Sequence, residues 1–128
     1  VKDEWLPVHL AAIEIAGQMH QARSAAALER LISHDSQILA RAACDALAGY
    51  RKAEAKDRLD VVRRLATQLG RLEKKKVKGE AAATDLRRLR EALRDSLREL
   101  TAVPDLESAA EARDWLRRHR ETVKPQRS

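Results

Sequence analysis

Between Gly79 and Pro104, Leu86, Leu89, Leu93, Leu97 and Leu100 recur every three or four residues with no glycine or proline among them. That spacing places all five on one side of an α-helix but scatters them over both faces of a strand. The segment can therefore bury its leucines together only as a helix. The pattern extends along most of the chain. Leu6, Leu10, Ile13 and Gly17 show it first, then Leu28, Leu31 and Ile32, then Ile38, Leu39, Ala42, Ala43, Ala46 and Leu47. Val61, Val62, Leu65, Leu69 and Leu72 carry it through a fourth stretch, and Ala112, Trp115 and Leu116 through a last one.

Composition supports the same reading. Among 128 residues there are 23 Ala and 17 Leu, while Phe and Asn are absent and the aromatic residues are Trp5, Tyr50 and Trp115. Ala and Leu lose little on entering a helix. A β-sandwich or an α/β fold is excluded on this ground, and the expected class is all-α.

Helix boundaries follow from local signals. Pro7 sits where a first helix, running to about Met19, accepts a proline. Ser24 is expected to cap a second helix, Ser36 a third that runs to Tyr50, and Asp57 a fourth. His34-Asp35-Ser36 forms a polar break between the second and the third, and Gly49 is a stop signal. The fifth spans about Ala82 to Thr101, ahead of Pro104. Ser108 to Glu111 has the form of a capping box opening a sixth. The expected organisation is one helical-repeat domain over residues 1–122 and a polar tail over 123–128.

Six helices with short breaks predict three antiparallel hairpins, and the hairpins resemble one another. Ile15-Ala16-Gly17 returns as Leu47-Ala48-Gly49 at an offset of 32, and Leu28 and Leu31 return as Val62 and Leu65 at 34. The small residues predict a close approach of neighbouring helices. An irregular helical bundle is the alternative arrangement.

At this point the chain resembles HEAT-like α-solenoid repeats. The segment Asp35 to Ala48 is similar to the first helix of such a repeat, with Asp35 ahead of it, Arg41 inside it, and Ala42, Ala43 and Leu47 at the places of the family's small and apolar residues. Leu93 to Trp115 resembles the tail of many bacterial HEAT-repeat proteins, a leucine helix ending in Leu-Thr-Gly, a loop, and a short helix with Trp. Here Ala102 replaces the glycine, and Leu116 stands where a second Trp is common. The resemblance implies a short α-solenoid that acts as a scaffold for a protein partner, and it brings no catalytic residues.

Candidate chemistry is sparse. His9, His20, His34 and His119 are scattered, and none makes an i,i+4 pair with another His or with Cys44 that could hold a metal. Cys44 lies in an Ala-rich stretch with no adjacent His or Lys and reads as a small core residue. The four glycines, Gly17, Gly49, Gly70 and Gly79, are too far apart for a phosphate loop. No Gly-Xaa-Ser-Xaa-Gly elbow occurs. Acid–base catalysis by paired carboxylates would need a cleft to which nothing in the sequence points. The expectation is a non-enzyme without cofactor or metal. No apolar run is long enough to span a membrane, and a start at Val1 without Met or an apolar leader suggests a soluble, processed or truncated product.

Charge is the remaining guide. Of the net +6, residues 1–50 contribute 4 basic and 6 acidic side chains and residues 51–128 contribute 22 and 14. A cationic second half raises the expectation of an anionic partner. Arg87, Arg90, Arg94 and Arg98 alternate with Glu91, Asp95 and Glu99 as a solvated ladder of pairs. Lys74, Lys75, Lys76 and Lys78 are less compensated and are expected to cap the end of the fourth helix. With Arg58, Arg63, Arg64 and Arg71 they form a candidate stripe over 58–78 for a nucleic-acid phosphate backbone, unless Arg64 and Arg71 only flank the core seam.

Trp115 is expected to cover the last apolar face, and Trp5 to be either a cap or an exposed anchor. With no polar capping helix ahead of it, the uncovered edge near Leu6 to Ile15 is expected to dock on a protein, with Trp5, Leu6 and Leu10 as its candidate contacts. The leading expectation is thus a protein–protein interaction scaffold or accessory subunit of a larger complex. The alternative is a nucleic-acid module using the basic residues.

Overall fold

The computed structural model describes residues 3–33 and 36–123. His34 and Asp35, on which the polar break and the Asp ahead of the third helix were placed, lie outside the described residues, as does the tail from Lys124 to Ser128. A 3-10 turn, Asp3–Trp5, leads into α1 (Leu6–Met19), followed by α2 (Ala22–Ile32) and α3 (Gln37–Ala48). A second 3-10 turn, Gly49–Lys52, connects to α4 (Ala55–Lys74), α5 (Glu80–Thr101) and α6 (Ala109–Val123). The protein is all-α, and no strand occurs among the described residues.

The helices form two layers. In one, α3 lies between α1 and α5; in the other, α4 lies between α2 and α6, and α2 with α3 and α4 with α5 close the layers on each other. The core between them holds Leu28, Ile32, Leu39, Leu47, Val62, Leu65, Leu69, Leu93, Leu97 and Leu100, all essentially inaccessible. These are the periodic residues of the sequence, and their burial is what makes the short helices stable in water.

Directions within the layers follow from side-chain contacts. Glu29 and Ser33 of α2 meet Arg64 and Arg71 of α4, so these helices run parallel. Arg58 at the start of α4 reaches Leu100 O at the end of α5, and Arg90 of α5 reaches Leu72 O near the end of α4, so α4 and α5 are antiparallel. The last helix departs from the hairpin pattern. Ala109 N–H donates to Glu73 Oε2 at 3.3 Å, and Arg58 lies over Trp115 at 5.7 Å. Thus α6 runs antiparallel to α4, in the same general direction as α5.

The 103–108 loop makes this reversal. Arg94 Nε donates to Glu107 O at 2.9 Å and Arg98 Nε to Leu106 O at 2.9 Å, drawing the loop back along the helix it has just left. Ala102 opens the loop with a left-handed backbone, φ 60°. An L-residue is strained there and glycine is not, so glycine would suit the site better. The ladder on α5 is therefore more than a solvated face. Arg94 and Arg98 do pair with Glu91, and Arg98 with Asp95, but the same guanidinium groups hold the loop. Arg87 instead donates to Thr84.

Caps depart from expectation where no side chain was available at the true boundary. Ser36 accepts the Leu39 N–H and Ser108 accepts the Glu111 N–H, as expected. Helix α2 starts earlier than expected, after Gln21, with Ser24 inside its first turn, and α4 starts after Glu54, with Asp57 in its first turn; neither preceding residue makes a side-chain cap. Asp57 acts there on the helix dipole instead. The end of α4 is capped by Arg90, whose guanidinium donates to Leu72 O and Lys75 O, and not by the lysines. That end lies beside α5, where a guanidinium from the neighbouring helix reaches the Leu72 and Lys75 carbonyls.

The repeated small residues have unequal roles. A Cβ added to Gly17 would sit 2.8 Å from the Ala46 Cβ, so α1 and α3 approach closely there. At Gly49 the nearest atom would be Gly17 O at 3.8 Å, and a methyl fits.

Candidate functional site

Helix α1 carries apolar residues on both of its sides. Ile13 and Gly17 are buried, and Leu6 and Leu10 pack half-buried against the core. On the other side Trp5, Val8, Ile15 and Met19 are 54%, 58%, 59% and 50% exposed, with exposed Ala12 between them. Positions 5, 8, 12, 15 and 19 step by three and four, which makes one continuous stripe along the 14-residue helix. Within α1 the one carboxylate is Glu14, and it lines the groove toward α3 with Asp45 and Arg51. The sequence reading named Trp5, Leu6 and Leu10 at this edge. The structure places Trp5 in the exposed stripe and turns Leu6 and Leu10 inward. Val8 and Ile15 fall inside the edge from Leu6 to Ile15 but were not named as contacts, and Met19 lies beyond it, although their spacing with Trp5 was visible.

The basic stripe of the sequence divides into members that tie elements together and members that stay at the surface. Arg58 is spent on Leu100 O at 2.6 Å and on the Trp115 ring. Arg64 bridges Asp60 at 2.8 Å and Glu29 at 2.7 Å, and Arg71 donates to Ser33 Oγ, so both tie α4 to α2. Burial pushes the Asp60 carboxyl up, but hydrogen bonds from Arg64 and Arg63 more than offset this and hold it below the usual carboxylate range. The hydrogen bonds that Arg64 donates to Asp60 and Glu29 raise its own pKa in turn. Gln68 joins this partly buried junction by donating to Glu29 Oε2 at 2.8 Å, while its own Oε1 is buried without a partner among the described residues. Lys74, Lys75, Lys76 and Lys78 are exposed.

Arg63 remains at the surface, and the structure brings new partners to it. It lines a groove of about 410 Å3 between α4 and α6 with Arg113, Arg117 and Arg120. A second groove of about 470 Å3 shares Arg63, Leu116 and Arg120 and extends toward Lys56, Asp57 and Asp60, so the two form one trough whose acidic residues lie at the α4 end. The α6 arginines were absent from the candidates read in the sequence. Their 113, 117, 120 spacing was a visible signal, but which helix they would face was not.

Cys44 is fully buried, and burial first, then Asp45, pushes its thiol up to about 12. Its carbonyl accepts the Ser96 hydroxyl at 2.8 Å, so the position serves packing between α3 and α5. Trp115 is 5% exposed, with His119 stacked on it at 4.1 Å. No cluster of three or more His, Cys, Asp or Glu able to hold a metal occurs among the described residues. No described helix is long and apolar enough to cross a membrane. Comparison with protein-family models, with curated proteins and with solved structures returned no match.

Proposed function

We propose that this chain is a non-catalytic protein-interaction module, either a scaffold or an accessory subunit of a larger assembly, docking on a protein partner through the outer side of α1. The observation that carries this reading is the aligned exposure of Trp5, Val8, Ile15 and Met19 on a helix whose opposite side is already packed. Such a stripe exposes on the order of 400 Å2 of apolar surface, the size of patch that often marks a contact site on a monomer. A helix that is apolar all round belongs in an interior. A partner presenting a complementary apolar helix face, with few charges, fits a stripe that is itself uncharged along its centre.

A short HEAT-like array is the architecture that best accompanies this role. The parallel run of α2 and α4, the close Gly17 to Ala46 approach and the loop before Trp115 support the reading. In a stacked array each unit covers its neighbour, and an end unit without a polar outer side calls for a cover from elsewhere.

Capture from native lysate by the full chain tests the proposal, at low and at about 0.5 M salt with nuclease treatment, alongside Val8→Glu and Ile15→Glu. A stoichiometric protein that survives salt and nuclease with the parent chain and is lost with both variants is the expected result. Retention by the variants, or loss of every partner in salt, sinks the reading.

A further inference from the structure

The two layers of helices differ in charge, as the two halves of the sequence do. Helices α1, α3 and α5 together carry six basic and seven acidic side chains, whereas α2, α4 and α6 carry twelve and seven. The excess positive charge is thus collected in one layer. Within that layer it is most concentrated where Arg63 of α4 faces Arg113, Arg117 and Arg120 of α6, four guanidinium groups lining one groove, while the carboxylates of the trough, Asp57 and Asp60, line its adjoining part.

The geometry points to this groove as a binding site for the phosphodiester backbone of a nucleic-acid duplex. Arg113, Arg117 and Arg120 lie at i, i+4 and i+7, so their side chains leave α6 along one side over about 10 Å of helix axis. That length suits a row of anions better than a single one. Arg63 pairs with Asp60, and Arg117 with Asp114, on their own helices, while Arg113 and Arg120 make no ion pair among the described residues. Guanidinium groups present donors in a planar fork that matches phosphate oxygens and remain charged at any physiological pH.

The lining also separates phosphate backbones from other anionic partners. An acidic protein would bring an interface centred on desolvated aromatic or apolar anchors, and the leucine of this groove, Leu116, is buried at its floor. A single strand would require exposed rings for its bases, and the tryptophan of α6 is buried beneath Arg58. What the groove offers is charge and hydrogen-bond donors, the requirement for sequence-independent contact with a duplex backbone. It lies apart from the apolar stripe on α1, so the site stands or falls independently of the protein-docking role.

Fluorescence anisotropy with a labelled 20-base-pair DNA duplex, titrated from 50 to 200 mM salt, tests the site in the full chain. The Arg113→Gln/Arg117→Gln/Arg120→Gln variant is compared with Lys74→Gln/Lys75→Gln/Lys76→Gln, which removes the same charge elsewhere. The groove variant should lose at least tenfold in affinity, and its log–log salt slope should fall by about 2 to 3. The lysine variant should stay within about threefold of the parent. Thermal melts of each variant control for folding. Equal losses in both triple variants would mean diffuse charge and overturn the site. So would the absence of salt-sensitive duplex binding, or a groove that holds a poly-glutamate peptide in preference to the duplex.

Discussion

The two ends of the helical stack solve the same problem in opposite ways. Helix α6 closes its end completely: it is amphipathic, buries Trp115, Leu116 and Ala112, and turns its arginines outward. Helix α1 covers α3 but leaves the end open, because its outer side repeats the apolar character of its inner side. Each end has one tryptophan, at 5% exposure in α6 and 54% ahead of α1. What differs is whether a charged neighbour covers the ring. Arg58 lies over Trp115, while no ring or cation contact holds Trp5 among the described residues. An apolar composition therefore makes a helix a cap only when its second side is polar.

The largest effect that would break this contrast is at the tryptophans. Trp115→Ala should cost about 3 to 5 kcal/mol in urea unfolding, because a large buried ring leaves a cavity and an unstacked Arg58. Trp5→Ala should change stability by less than about 0.5 kcal/mol and abolish partner capture instead. Comparable losses of stability in both would mean that the ends are alike.

The glycines sharpen the comparison between neighbouring helices. Gly17→Ala should cost about 1 to 3 kcal/mol, since its Cβ meets the Ala46 Cβ at 2.8 Å and α1 must move off α3. Gly49→Ala meets nothing closer than 3.8 Å and should be neutral or slightly stabilising in a thermal melt. A smaller effect is expected at the α2 to α4 junction, where Arg64→Met should cost about 1 kcal/mol near neutral pH, with screening taken into account. Asp60 has a lowered folded pKa, so its contribution is present above the unfolded carboxylate value and disappears as pH falls through the folded one. The gap between parent and Arg64→Met should accordingly shrink in urea titrations as pH falls below the ordinary carboxylate value of about 3.9. The smallest change is a gain: Ala102→Gly relieves a φ of 60° and should raise stability by about 0.5 to 1 kcal/mol, read as a shift in Tm.

The legible part of this molecule was the part decided within a few residues. Helical spacing located all six helices, and Ser36 and Ser108 announced their caps because a capping bond spans three positions. Ser24 and Asp57 misled because α2 and α4 begin after residues that make no side-chain cap. The direction of α6 was not legible, since it depends on Arg94 and Arg98 holding Glu107 and Leu106, contacts whose partners a linear pattern does not pair. Arginines were the hardest to read. Arg58, Arg64, Arg71 and Arg90 are structural, whereas Arg63, Arg113 and Arg120 are at the surface, and the residue type is the same. For Trp5 the sequence left cap and anchor equally open, and only the helix register on either side of it decides between them.

Because positive charge is gathered in α2, α4 and α6 and slightly negative charge in α1, α3 and α5, the molecule carries an electric dipole directed across its thickness. It consequently has an up and a down in any external field. On a polyanionic surface it would settle with the α4–α6 trough beneath and the helices of the opposite layer facing the solvent. Long-range electrostatics would in this way set its orientation before any contact is made.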